Sequence, residues 1–341
     1  MRFRTGLCFD DVLLVPQHST IKSRRHTDLS VLLGTISLDV PIISSPMDTI
    51  TEYAMASKMA ALGGVGVLHR YNTLDEQVRQ VRACTDPSLT GAAIGVTGNF
   101  ESRACALYDA GVRLLCVDIA HGHHELLQSA LGTLRSVFGN SVHIMAGNVA
   151  TLDGFNALAD WGADSIRVGI GGGSICTTRV QTGHGVPTLQ SILDCASSDR
   201  EALLIADGGL RSSGDIVKAL AAGADMVMLG SMLAGTEQTP GDVIADNSGK
   251  KFKSYRGMAS RSAQIDWRGV SSTPEGVSTL VPYRGCVSKV VQDLEGGIRS
   301  GMSYSGAQSL SALRAKAEFM IQTPSAQTES SAHVLLGNNH A

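Results

Sequence analysis

Short apolar runs closed by Gly, Ser, Asp or Asn return at intervals of about two dozen residues along this chain. They lie at Val40–Ile43, Val65–Leu68, Ala92–Gly95, Leu114–Val117, Val142–Ala146, Ser165–Val168, Leu203–Ala206 and Met226–Leu229. Because the apolar residues are continuous rather than alternating, each run predicts a strand buried on both faces. Stretches of helical period separate them, among them Glu52–Leu62, Leu74–Ala83, Glu101–Ala110, His124–Phe138, Thr151–Trp161, Thr188–Ser197 and Ser213–Ala222. Strand and helix in alternation predict parallel pairing through right-handed crossovers. Eight such strands favour a closed α/β barrel, the (β/α)8 TIM barrel, over an open doubly wound sheet. A length of 341 residues fits one such barrel, as well as two ordinary domains.

The composition narrows the partners. With 28 basic against 31 acidic residues the chain carries a net charge of −3, which offers no footprint for nucleic acid and no polybasic anchor for a membrane. The opening MRFRTGLCFDD lacks the apolar core of a signal peptide, and no apolar run reaches the ~18 residues of a membrane span, so a cytoplasmic protein is expected. Seven cysteines without a C-x-x-C pair fit a reducing compartment. Gly162-Ala163-Asp164 returns as Gly223-Ala224-Asp225, each time leading from a helix into a strand, either as an internal repeat or as a favoured helix exit. After the eighth strand the period breaks. Residues 247–296 hold a charged, hairpin-like piece at Gly249–Lys253 and a Ser/Thr/Gly/Pro-rich stretch from Ala259 to Pro282, read as a flap or lid; residues 324–341 form a polar tail.

In a parallel barrel, function sits at the C-terminal strand ends. Those positions hold Ser45-Pro46-Met47-Asp48, His69-Arg70-Tyr71, Thr97-Gly98-Asn99, Asp118-Ile119-Ala120-His121-Gly122, Gly147-Asn148, Gly169 to Thr178, Asp207-Gly208-Gly209 and Gly230-Ser231-Met232. Glycine makes up 38 of 341 residues, and a large share falls in these loops. The seventh and eighth loops are small and Gly/Ser-rich, as phosphate sites on barrels are. The sixth places four glycines in five positions and then presents Cys176. A thiolate is the strongest nucleophile among side chains at neutral pH, and this loop would expose it. Cys8, Cys105, Cys116 and Cys195 are read instead as small buried fillers. Asp118 and Asn148 could hold a ribose or a nicotinamide amide; His121, His123 and His124 read as a solvated helix start rather than a metal site. No G-x-G-x-x-G follows the first strand, so a nicotinamide cofactor would lie across the barrel mouth.

Gly6–Leu14 (GLCFDDVLL), Ser45-Pro46-Met47-Asp48-Thr49, Gly169–Thr178, Ala206-Asp207-Gly208-Gly209, Tyr255-Arg256-Gly257-Met258 and Gly296-Gly297-Ile298-Arg299-Ser300 together resemble the IMP dehydrogenase/GMP reductase family over nearly the whole chain. The resemblance implies a barrel, usually in a homotetramer, whose cysteine attacks C2 of a purine nucleotide monophosphate, GMP or IMP. On the matching positions Cys176 is the nucleophile, and Thr178 and Glu275 complete the catalytic set. Ser45, Met47, Ser174, Gly208, Gly209, Gly230, Ser231, Tyr255, Gly257 and Met258 would face the nucleotide, with Asp207 on the ribose and Glu275 near the purine. Asp118, Ala120, Asn148, Arg167 and Gly169 would lie toward the nicotinamide cofactor. Carbonyls of Gly171, Gly173 and Cys176, with Glu329 of a neighbouring subunit, are the counterparts of a K⁺ site.

Two reactions are open to the family. A dehydrogenase oxidises IMP with NAD and places an Arg-Tyr pair in its flap to activate water; a reductase deaminates GMP with NADPH and uses a Thr/Glu pair. Here residues 259–281 contain no tyrosine, the nearest feature is Trp267-Arg268-Gly269, and Thr182-Gly183-His184-Gly185 resembles the reductases. The expectation is therefore an NADPH-dependent GMP reductase, with IMP dehydrogenase and a non-catalytic nucleotide-binding protein as alternatives. Asp118–Gly122, Gly301–Gly306 and Glu329–His333 look more like the dehydrogenases, and Gly172 replaces the common proline of the Cys loop, which would free that loop. Leu68 to Gly91 is too short to hold the regulatory domain pair that dehydrogenases insert after the second strand, so a single barrel is expected.

Overall fold

The computed structural model describes residues 3–330; the last residues of the predicted tail lie outside the described residues. Eight parallel strands close into a barrel: β1 Ile42–Ser44, β2 Val65–Leu68, β3 Thr90–Ile94, β4 Leu114–Asp118, β5 His143–Val149, β6 Ser165–Val168, β7 Leu203–Asp207 and β8 Met226–Leu229. Closure is made by β8 on β1, with Val227 opposite Ile42. The eight expected strands form, their ends shifted by at most three residues. Consecutive strand residues divide between two cores. Ile43, Val65, Val67, Leu114, Met145 and Met228 fill the barrel, while Ile42, Leu68, Val117, Ile166 and Leu229 face the helices outside. A two-stranded ribbon, Val31–Leu33 with Ile36–Leu38, adds Leu33, Ile36 and Leu38 to the inner core.

The named helices form in order, α1 Tyr53–Ala61, α2 Leu74–Ala83, α3 Phe100–Asp109, α4 Glu125–Phe138, α5 Leu152–Asp160, α7 Thr188–Cys195 and α8 Ser213–Ala221, with a short α6 Thr178–Thr182 after the Cys loop that the periodicity did not predict. In α4, Leu127, Ala130, Leu131 and Leu134 bury one stripe at helical spacing. His124 caps its start, its Nδ1 accepting from Leu126 N–H at 3.1 Å, while His121 and His123 stay exposed.

The Gly-Ala-Asp repeat has a physical cause. Gly162 and Gly223 leave their helices at φ of 101° and 122°. The aspartate after each then clamps the preceding strand in the same way. Asp164 N–H donates to Ile144 O and its carboxylate accepts from Ile144 N–H at 2.6 Å; Asp225 does the same with Leu204, accepting at 2.7 Å. Both turns end a βα unit, so one local solution serves twice.

Between β8 and the long helix α10 (Val287–Tyr304) lie three antiparallel strands, β9 Ile244–Ala245, β10 Lys251–Arg256 and β11 Ser278–Pro282, with helix α9 Arg261–Arg268. This excursion stands at the C-terminal mouth of the barrel. Two cysteine readings need correction: Cys116 and Cys195 are buried, but Cys8 is exposed among the charges of Asp10, Asp11, Arg179 and Arg211, and Cys105 is only half-buried beside the stripe that Ala104 and Leu107 bury on α3.

Candidate active site

The strand-end loops and the excursion after β8 enclose a cavity of about 620 Å³. Every candidate catalytic, nucleotide-side and cofactor-side residue singled out from the sequence lines it, as do Gly171 and Gly173; the three histidines before α4 do not.

At its centre is a chain of three side chains. The Cys176 thiol donates to Thr178 Oγ1 at 3.2 Å, and the Thr178 hydroxyl donates to Glu275 Oε2 at 2.8 Å. Glu275 is 97 residues from Thr178 in sequence, and backbone pairing brings it there. Thr177 N–H donates to Glu275 O at 2.9 Å and Val277 N–H to Ile175 O at 3.0 Å, so the Cys loop and the flap run as a short antiparallel ladder. Cys176 is half-buried. A Cβ on Gly172 would lie 2.3 Å from Thr188 Oγ1, so the loop backbone runs close against α7 at this position. The missing side chain lets the loop settle on α7.

On one side of this centre three loops converge. A Cβ on Gly230 would lie within 3.2–3.3 Å of Ser45 Oγ, Met47 Sδ and the Tyr255 hydroxyl, which shows how closely those atoms surround its backbone. The Tyr255 hydroxyl is 3.4 Å from Ser174 Oγ. Burial pushes its pKa up, against hydrogen bonds with Ser174 and Ser231. Ser45 Oγ is buried with no hydrogen-bond partner among the described residues. Arg256 fixes the flap root, bonding both oxygens of Asp48, and Asp48 N–H points at Met258 Sδ at 3.4 Å.

On the other side is a buried charge network. The Arg167 guanidinium bonds Asp118 Oδ1 at 2.6 Å and Asp207 Oδ2 at 2.9 Å, and Asn148 Nδ2 donates to the same Asp207 oxygen at 2.9 Å. Burial alone would raise the Asp118 pKa, but Arg167 and Arg70 outweigh it and hold the carboxyl below its usual range. Arg70 and Tyr71 received no role from the sequence, although both stand at the end of β2. Arg70 reaches Asp118 at 3.4 Å, its guanidinium 4.8 Å from the Tyr71 ring centroid and 5.4 Å from that of Trp267 on α9. The two rings meet edge to face at 5.1 Å. Strand-end placement was the available signal; the flap residue that completes the stack could not be paired with it from sequence.

A profile of the IMP dehydrogenase / GMP reductase domain matches residues 6–333. The chain belongs to this family. Among curated relatives, inosine-5'-monophosphate dehydrogenase of Nitrosopumilus maritimus is 33% identical over 476 aligned positions, covering 98% of this chain and 100% of that one. The Cryptosporidium parvum dehydrogenase is 38% identical over 386 positions, covering 96% and 95%. A solved structure of Trypanosoma brucei GMP reductase, a cysteine-to-alanine variant in complex with guanosine 5'-monophosphate, superposes with a TM-score of 0.92 at 31% identity, covering 97% of this chain and 98% of that one. The IMP dehydrogenase/GMP reductase family is a family of oxidoreductases acting in purine metabolism, and its fold here is the closed barrel expected from the strand count. No helix among the described residues is long and apolar enough to cross a membrane.

Proposed function

We propose that this family member is a GMP reductase, converting GMP to IMP and ammonia at the expense of NADPH. The observation that carries this reading is the Cys176–Thr178–Glu275 chain, with hydrogen bonds of 3.2 and 2.8 Å. Read as a relay, it moves the thiol proton through Thr178 to Glu275, leaving a thiolate to attack C2 of the purine. The same path returns a proton to the 2-amino group as the C2–N bond breaks and ammonia departs. The nucleotide's phosphate is held by Ser174, Gly209, Gly230, Ser231 and Tyr255, its ribose by Asp207, and the excursion between β8 and α10 serves as the flap, the last residues of the expected 247–296 segment belonging instead to α10. Ser45 Oγ, an orphaned buried donor beside Gly230, fits a phosphate or sugar oxygen.

The nicotinamide side also fits its group. Asp118, Asn148 and Arg167 present fixed polar atoms, and Arg70, Tyr71 and Trp267 present flat faces suited to an aromatic ring. When bound, the reduced nicotinamide supplies the hydride that frees C2 from Cys176. Backbone carbonyls of Gly171, Gly173 and Cys176 are oxygen donors of the kind a K⁺ ion takes. The family resemblance implies a homotetramer, and we extend that assembly to this chain.

An IMP dehydrogenase is the second reading, favoured by the names of the curated relatives and by Trp267 and Arg268 of the flap, which line the cavity. The two separate in one assay. GMP-dependent loss of NADPH absorbance with release of ammonia is expected; its absence, together with IMP-dependent NAD reduction, would overturn the proposal.

A further inference from the structure

Lys253, on β10, is 2% exposed, and lysine is among the residues least often found fully buried. Backbone carbonyls hold its charge. Nζ donates to Thr236 O and Glu237 O, each at 3.3 Å, and to Thr239 O. An ammonium has three donors and no acceptor, so three converging carbonyls satisfy it completely, whereas the planar fork of arginine does not match them. Burial pushes its pKa down and the charges of Asp242 and Glu237 oppose that.

The position of this nest gives it a consequence. The carbonyls belong to the segment that begins at Gly230 and Ser231, directly after β8, and Thr236 and Thr239 are themselves buried within it. Lys253 and Tyr255 share the buried face of β10, with Ser254 between them exposed. One ammonium therefore ties the loop bearing Ser231 to the strand bearing Tyr255. Oxygen cages of this kind replace the hydration shell of a small monovalent cation.

We propose that Lys253 is a positioning residue, a built-in cation that fixes the loop after β8 against the flap-root strand and so sets the register of the phosphate-binding groups. This rests on the reading that Gly230, Ser231 and Tyr255 hold the nucleotide phosphate.

The test is substitution with and without an added ion. K253A leaves a hole lined by carbonyls, and K253M fills it without charge. Both should raise the nucleotide KM about tenfold with kcat nearly unchanged, since binding and not chemistry is displaced. Millimolar methylammonium should restore KM and raise the melting temperature of K253A, and should do neither for K253M. If K253A does not fold alone, folding should return with methylammonium. A K253A chain that ignores the ion, folded or not, or a K253M enzyme with unchanged KM, overturns the proposal. Calorimetric titration of the unsubstituted protein with GMP separates the two readings: no nucleotide binding there fails the phosphate assignment, while the melting response of K253A still reports on the cage.

Discussion

Replacing Thr178 by valine exchanges one hydroxyl for a methyl of similar size and cuts the relay at its middle. The hydroxyl both accepts from Cys176 at 3.2 Å and donates to Glu275 at 2.8 Å, so T178V removes both proton hand-overs at once. A hydrogen bond to a charged acceptor is worth about 1.5–3 kcal/mol, and positioned proton transfer contributes about 10²–10⁴-fold. The two scales meet near 10²-fold, which is about 2.7 kcal/mol in the barrier at 1.36 kcal/mol per decade. T178V should therefore lose about 10²-fold in kcat for GMP with its nucleotide affinity nearly intact. The assay follows ammonia release and NADPH oxidation in single turnovers. A second substrate isolates the cause: in the 2-chloro analogue of IMP the leaving group is chloride, which needs no proton, so one of the two hand-overs is dispensable and the deficit of T178V should shrink. A loss of under threefold on GMP, or the same loss on both nucleotides, would refute the relay.

C176A should abolish turnover, by about 10³-fold or more, while GMP binding measured calorimetrically survives; retained turnover would remove the covalent step. R167M should destabilise the fold by about 1.5–3 kcal/mol in denaturant titration, because it removes the guanidinium that Asp118 and Asp207 share and leaves them only Arg70 and the Asn148 amide; a loss below about 1 kcal/mol would show that solvent already screens them. His143 is 8% exposed, its Nε2 2.9 Å from Ser165 Oγ, and burial lowers its pKa to about 4. Above pH ~6.5 the imidazole is neutral in both folded and unfolded chains; as pH falls toward 4 only the unfolded chain takes the proton, so stability drops by up to about 3 kcal/mol across that window. H143Q should flatten this slope, and an unchanged slope would exclude His143 as its source.

The helix exits, the capped helix α4 and the eight strands were legible from sequence because each depends on neighbours within a few residues. Apolar continuity reports burial on both faces, and a glycine at positive φ followed by aspartate reports a turn. The Cys loop was legible for the same reason, its glycines and its single thiol being adjacent in the chain. Where the reading went astray, Cys8 faces the charges of Arg179 and Arg211 from distant parts of the chain, and Cys105 stands beside the buried stripe that Ala104 and Leu107 make on its helix.

The chain's own sequence thus determined the barrel, the active face and the family of its chemistry, since periodicity and short motifs carry them. The resemblance had named Thr178 and Glu275 as a pair, and the tertiary structure set the 2.8 Å between them; it alone decided that Arg70 and Tyr71 meet Trp267 and that Lys253 is seated among three carbonyls. Those contacts join loops from different strands, and only barrel closure and the folding-back of the flap set their separations.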